Sequence, residues 1–331
     1  MSHNPPYPFV SSEVEIGPST SLETNGKEST MTPLPKQAIL VVNAMSRKGA
    51  DAFEEARHKL VAAGVELIDA QAIDDPDQMD EAIRAAIERA PMVIVGGGDG
   101  SLSTNVDFFL GKNTVFAILP LGTANSFAGT LGIPKDLDSA IAVIASGERK
   151  RIDLGCIDGD YFVNAAAIGL SPMIAETVPH KVKRYLGMVG YLGWAMWCAV
   201  RFRPFRLVVT HDDGRCEKVW ATEVRIANGT HHGGVELVES QQLDSGEIVI
   251  QAVTGTSVVG LAWSWFATLA RLKSRHGTMQ EFRGRRMQID TRPRRHISID
   301  GEVSAKTPVT VSVARAAIEV AAPRDGQFDP H

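Results

Sequence analysis

The stretch Val93-Ile94-Val95-Gly96-Gly97-Gly98-Asp99-Gly100-Ser101-Leu102-Ser103 decides how the rest of the chain is read. It opens as an apolar, β-branched run, the pattern of a strand buried on both faces. Four glycines and one carboxylate follow, and a helix start is predicted after them. Glycine has no Cβ, so backbone there can turn tightly and come close to a bound group. Successive N–H groups ahead of a helix offer a site for phosphate oxygens. Asp99 cannot serve such an anion directly, because like charges repel, so it would act through a metal ion or ordered water. A tight strand-to-helix turn with no ligand is the plainer alternative for this stretch by itself.

Upstream, Ala38-Ile39-Leu40-Val41-Val42 reads as another buried strand. It ends at Asn43 and the polar loop Ala44-Met45-Ser46-Arg47-Lys48-Gly49, the place where a doubly wound sheet puts a ligand. Phe53, Ala56, Leu60 and Val61 share one helical face that stops at Gly64. Val65–Ile68 is a second strand, and Asp75 or Asp77 caps the next helix. Downstream, the strand Thr114–Leu119 runs into Pro120-Leu121-Gly122-Thr123-Ala124-Asn125-Ser126-Phe127-Ala128, a second strand-to-helix turn. Residues 136–146 are a further amphipathic helix. Strands alternating with helices predict an N-terminal doubly wound parallel α/β domain. Two polar turns at one edge of its sheet strengthen the phosphate reading.

After Gly147 the pattern changes. Lys150–Ile157 and Tyr161–Ile168 read as strands joined at Asp158-Gly159, a hairpin signal. Further strands are expected at Phe205–His211, Lys218–Ala227, Glu247–Val253, Met287–Ile289, His296–Ile299 and Val309–Val313, with a turn near Asp213-Gly214. This predicts a C-terminal antiparallel β-sandwich domain. Two apolar helices, Val182–Val200 and Ser257–Leu272, interrupt it and carry most of the tryptophans. They read as core packing, or as a wall for an acyl chain or a face at the membrane interface. A basic segment follows, with Arg271, Lys273, Arg275 and His276, then Arg283, Arg285, Arg286, Arg292, Arg294 and Arg295. A solvated basic hairpin and an anionic membrane surface both account for it; no nucleic-acid-reading module accompanies the charge. Ile297-Ser298-Ile299-Asp300-Gly301-Glu302 places two carboxylates around a glycine at a strand end. That is an ordinary β-turn, or, beside a phosphate loop, a device for handling an acceptor hydroxyl.

Composition sets the frame. The chain has 331 residues, 44% hydrophobic and 22% charged, with net charge −5. It is long enough for about two domains, and nothing global points to nucleic acid. Cys156, Cys198 and Cys216 form neither a metal pattern nor a disulfide framework, which suits a reducing compartment. No apolar run reaches the ~18–20 residues needed to span a bilayer, and no signal peptide is read at the N-terminus. The expected location is cytoplasmic, with peripheral contact at the inner membrane surface as a further option. Residues 1–36 are proline-rich and without periodicity, so they are expected to be disordered, with Met31 as an alternative start. The expected divisions are 37–148 for the nucleotide-binding domain, 149–322 for the sandwich and 323–331 for a tail.

Taken together, these residues resemble the diacylglycerol kinase catalytic-domain family, which includes bacterial soluble lipid kinases, sphingosine kinases and ceramide kinases. The resemblance covers about residues 37–322. It rests on Val42-Asn43 with its loop, Gly97-Gly98-Asp99-Gly100-Ser101, Pro120-Leu121-Gly122-Thr123-Ala124-Asn125 and Asp300-Gly301-Glu302, in that order. It implies an N-terminal domain like that of NAD kinase and phosphofructokinase, with ATP in the cleft between the domains. Asn43 and Ser46 would contact the nucleotide. Gly97, Gly98, Asp99, Gly100, Ser101, Leu102 and Ser103 would wrap its phosphates, and Gly122, Thr123 and Asn125 would lie near them. Asp99 and Asp153 would belong to the network that holds Mg²⁺, largely through water. Glu302 would accept the proton, with Asp300 beside it. The implied reaction is ATP- and Mg²⁺-dependent phosphorylation of a lipid alcohol such as diacylglycerol. A homodimer is compatible with it. The chain departs from the family at Ala72, at Ser103-Thr104 in place of Asn-Glu, at Ser126 in place of Asp, and at Ser245 beside Gly246. The last puts Asp244 forward as the ligand of a structural metal. An NAD kinase-like phosphotransferase and a non-catalytic nucleotide or lipid sensor are the competing readings.

Overall fold

Three apolar runs, each too short for a helix of several turns and rich in β-branched residues, build the centre of the sheet from which the site projects. In the computed structural model these and the other elements are described over residues 32–45, 47–179, 190, 193–195, 197–198, 201–228, 231–232, 235–236, 243–254, 279–324 and 326–327. The first strands are β1 (Thr32–Pro33), β2 (Gln37–Asn43), β3 (Glu66–Ile73), β4 (Met92–Gly97) and β5 (Val115–Pro120). Those after them are β6 (Glu148–Ile157), β7 (Asp160–Phe162), β8 (Ala165–Gly169), β9 (Phe205–His211), β10 (Cys216–Ala227), β11 (His231–His232) and β12 (Val235–Glu236). The last are β13 (Ile248–Thr254), β14 (Met279–Gly284), β15 (Arg286–Arg292), β16 (His296–Ile299), β17 (Glu302–Lys306) and β18 (Val309–Ala322). The helices are α1 (Arg47–Ala62), α2 (Pro76–Ile87), α3 (Asp99–Asn105), α4 (Ser126–Thr130), α5 (Leu137–Ser146) and α6 (Leu170–Thr177).

The N-terminal half is a parallel sheet in the order β3-β2-β4-β5, as the alternation of strands and helices predicts. β4 and β5 are buried along their whole length, which explains why they show no two-residue alternation. The helices behave as their caps and faces dictate. Asp75 accepts from the Asp77 N–H at the start of α2, and Asp136 accepts from the Ser139 N–H at the start of α5. Met79, Ile83 and Ala86 of α2 are buried on one side.

The C-terminal half is an antiparallel β-sandwich around a second core, which includes Phe205, Leu207, Val224, Ile250, Ile289 and Ile297. The hairpin at Asp158-Gly159 forms as expected: both residues take positive φ, 50° and 99°, the conformation that makes Asp-Gly a favoured pair at a two-residue hairpin. The strand expected over Tyr161–Ile168 is instead two strands, β7 and β8. The Asp300 carboxylate accepts from the N–H groups of Val163, Asn164 and Ala165 at 3.1–3.3 Å, so this backbone bonds to a side chain between the two strands. The interrupting helices at 182–200 and 257–272 fall mostly outside the described residues, as do Arg271, Lys273, Arg275 and His276. Among the described residues no helix is long and apolar enough to cross a membrane.

One element was expected to be short and is long. β18 continues past Val313 to Ala322. Its first part pairs antiparallel with β15, and its last part pairs parallel with β5, at Glu319↔Val115 and Val320↔Phe116. Along both parts it pairs antiparallel with β6. The two strands form a ribbon that runs through both halves and feeds both cores: Ile152, Leu154, Ile318 and Val320 to the first, Ile157, Val309 and Val311 to the second. On it Glu319, 6% exposed, is held between Arg149 and Arg151.

The ribbon bulges between Ala314 and Ile318, and Asp153 holds the bulge. Its carboxylate accepts from the Ala316 N–H and the Gly246 N–H, each at 2.7 Å. Its own N–H donates to the Leu243 carbonyl, and Asn228 Nδ2 donates to its carbonyl. Asp153 is 5% exposed, so these bonds replace water for a buried anion. Asp153→Asn puts an amide NH₂ against a backbone donor. The expected loss of stability is about 1–3 kcal/mol, read from chemical denaturation.

Candidate active site

Glycine lets the two strand-to-helix turns touch. A Cβ on Gly122 would stand 2.5 Å from Gly98 Cα and 2.8 Å from Asn125 Oδ1, and a Cβ on Gly97 would stand 2.9 Å from Ser101 Cβ. Side chains at these positions would force the turns apart. The Leu121 N–H donates to the Gly97 carbonyl at 2.9 Å. Asn125 lies in the left-handed region at φ 51° and closes its own turn: Oδ1 accepts from the Gly122 N–H, and Nδ2 donates to the carbonyls of Gly122 and Pro120. Asp99 ties the first turn to the second through Oδ1, which accepts from the Phe127 N–H at 3.1 Å in the first turn of α4. Asn43, at the end of β2, adds the third strand end: its Nδ2 donates to Ser101 Oγ at 2.9 Å, and its Oδ1 accepts from the Met45 N–H.

The residues singled out by sequence fall into distinct places. Asn43, Gly97, Gly98, Asp99, Ser101, Gly122 and Asn125 form one contiguous set of turns. Gly100 and Thr123 are exposed at their tips. The Leu102 side chain is fully buried in the core and its N–H bonds the Gly98 carbonyl, so it supports the turn from beneath. Asp153 sits in the ribbon bulge, and the exposed Asp244 lies on the turn that Asp153 holds through Leu243 and Gly246. Among the described residues no three His, Cys, Asp or Glu side chains gather as a metal-holding group. Ser46 lies outside the described residues. Glu302 is placed by its backbone, which pairs with Ile299 across the Asp300-Gly301 turn; its side chain is outside what is described.

That turn repeats the logic of Asp158-Gly159, with φ 44° at Asp300 and 100° at Gly301. It brings the second half of the molecule to the glycine turns. Gly100, Ser103, Thr104 and Asp107 on one side, and Asp160, Tyr161, Ile299 and Asp300 on the other, line one cavity of about 160 Å³. Asp107, Asp160 and Tyr161 escaped the sequence reading. Asp107 follows Ser103 by four residues, a helical spacing that sets both on one face. Ser103 Oγ and Asp107 Oδ1 are buried and make no hydrogen bond among the described residues. Burial, and then the charge of Asp160, push the Asp107 carboxyl up to about 6. The cavity is therefore rich in acceptors and lined by no cationic residue among those described.

Residues 37–157 match the diacylglycerol kinase catalytic domain profile, and residues 165–322 match the YegS C-terminal NAD kinase beta sandwich-like domain. A diacylglycerol kinase of Staphylococcus saprophyticus is 25% identical over 255 residues, spanning 75% of this chain and 82% of that protein. A protein of Chromohalobacter salexigens described as "Probable lipid kinase YegS-like" is 34% identical over 171 residues, 50% of this chain and 54% of its own length. A crystal structure of a diacylglycerol kinase from Bacillus anthracis superposes with a TM-score of 0.70 at 20% identity, covering 88% of this chain and 98% of that one, and so shares the fold. With both halves matched in order, the chain belongs to the lipid-kinase family that joins a diacylglycerol kinase catalytic domain to a YegS-type β-sandwich.

Proposed function

We propose that this protein transfers the γ-phosphoryl group of ATP to the hydroxyl of a lipid such as diacylglycerol, with Mg²⁺ bound beside the phosphates. The observation that carries the reading is the cavity shared by α3 and the β16–β17 hairpin. That cavity lies directly beside the glycine turns, which supports an acceptor hydroxyl arriving next to the phosphates. Phosphoryl transfer needs positioning and charge neutralisation more than covalent catalysis. Gly98 and Gly100 at the start of α3 leave backbone open to phosphate oxygens, while Gly97 and Gly122 let the turns close together and Asn43, Ser101 and Asn125 hold them in shape.

The donor set fits Mg²⁺, which takes oxygen ligands and keeps several waters, so one or two carboxylates suffice. Asp99 is half-buried, and only one of its oxygens is bonded within the described protein. When bound, Mg²⁺ neutralises charge on the phosphates. Asp300 positions the hairpin: three N–H groups of residues 163–165 fix its carboxylate, and that fixes where Glu302 leaves the turn. Glu302 then takes the proton of the acceptor hydroxyl as the new P–O bond forms and the bond from the γ-phosphorus to the bridging oxygen breaks, releasing ADP.

The assay is purified protein with ATP, Mg²⁺ and lipids in mixed micelles. Glu302→Gln and Asp99→Asn should each lower turnover by about 10²-fold or more while remaining folded by circular dichroism. Full turnover in both, or phosphorylation of NAD with no phosphorylated lipid, would overturn the assignment.

Asp107 gives a second expectation, with a definite sign. An acid whose native pKa is raised binds its proton more tightly when folded. Its contribution is therefore greatest below the unfolded value of about 4 and is lost as pH rises through about 6. Asp107→Asn should flatten stability across that window. Near neutral pH it should stabilise by about 1 kcal/mol, the shift being discounted because the residue is only partly buried. Thermal unfolding across a pH series measures both.

A further inference from the structure

A second cleft lies on the sandwich, between α6 and the start of β16. It has a volume of about 200 Å³ and is lined by Gly169, Pro172, Met173, Glu176, Arg294, Arg295 and His296. We propose that it binds the phosphate of an anionic phospholipid head group and so seats the protein on a bilayer. The choice of a membrane as the source rests on the lipid-kinase reading; the anion chemistry does not.

The cleft is built for an anion. The Arg295 guanidinium is fixed on three sides: it lies 4.9 Å from the centre of the Phe202 ring, 5.4 Å from that of Phe205, and its Nη2 donates to the Arg203 carbonyl at 2.8 Å. Its Nε is buried and has no hydrogen-bond partner among the described residues. A guanidinium held in place on the wall of a cavity offers its charge to a ligand oxygen with little further ordering. Arg294 is exposed and makes no ion pair among the described residues. The opposing charge is Glu176, whose contact with His296 Nδ1 is long, at 3.6 Å.

The surroundings favour a membrane over free phosphate. Trp220 on β10, Arg206 on β9 and Arg292 on β15 are direct cross-strand partners, so all three stand on one face within about 10 Å. Trp220 is 55% exposed. Arg292 is two residues from Arg294, and Asp290 is the acid nearest to it along the same face of β15. On the other flank, the indole N–H of Trp194 donates to Thr177 at the end of α6. Trp194 stacks on Trp197, which is 46% exposed and lies 4.3 Å beneath the Arg201 guanidinium. Exposed tryptophan set among arginines is the composition of a bilayer interface, where the ring sits at head-group depth and the cations meet phosphate.

The test is co-sedimentation of the full chain, without nucleotide, with vesicles of phosphatidylcholine alone or mixed with phosphatidylglycerol. Only the mixed vesicles should bind. Arg294→Gln should weaken binding about fivefold and the Arg294→Gln/His296→Gln pair further, while Lys135→Gln, the same charge change on the α/β half, should have little effect. Glu176→Gln should strengthen binding, an outcome that a merely structural role for these residues would not give. Equal losses from Arg294→Gln and Lys135→Gln would overturn the proposal. So would release from vesicles by glycerol 1-phosphate at matched phosphate concentration, or preference for an oligonucleotide over the mixed vesicles. The readout involves no turnover. Failure here leaves the kinase reading standing, and an inactive but vesicle-bound protein would separate the two in the other direction.

Discussion

The ladder between β6 and β18 is the constraint on which the rest depends. Backbone donors and acceptors in a buried strand must be paired, and here each strand pairs the other through both halves of the molecule. The two cores are consequently not independent, because alternating residues of the same two strands pack into each. The buried Glu319, held by Arg149 and Arg151, and the buried Asp153, held by two backbone N–H groups, lie along this ribbon. Either anion would be costly there without its partners.

From that frame the cleft takes its character. One wall is made of turns in which glycine faces glycine, so the backbone itself is the surface. The other is a hairpin whose tip is set by positive φ at Asp300 and Gly301 and braced by the amides of residues 163–165. The first wall suits an anion and the second presents acceptors. That division matches a reaction in which a polyphosphate lies on one side and a hydroxyl arrives on the other.

Much of this was legible in the residues. Val93–Val95 and Ala38–Val42 could only be buried strands, and the glycines after Val95 announced a turn with backbone close to something. Asp158-Gly159 specified its own hairpin. What escaped has a common cause, the distance between partners along the chain. Residues 314–322 are alanine-rich and have no strand pattern; they are extended because β5 and β6 offer them an edge on either side. The bonds of Asp153 reach 93 and 163 residues along the chain, and those of Asp300 reach about as far. No local periodicity announces such contacts. Asp107 was missed for a different reason: it belongs to no motif, and its place at a cavity depends on where Asp160 and Tyr161 are folded against it.

The ribbon also bears on how the gap between the halves can behave. A hinge works where two bodies are joined by a few residues with little hydrogen bonding. Here the crossing is a paired duplex, stiffened at its bulge by a carboxylate clasp. Swinging the halves apart would bend that duplex instead of rotating a loose link. The crossing thus resists a change in the span of the gap. Such an architecture suits a guest presented end-on and at fixed height, as a molecule anchored in a surface is.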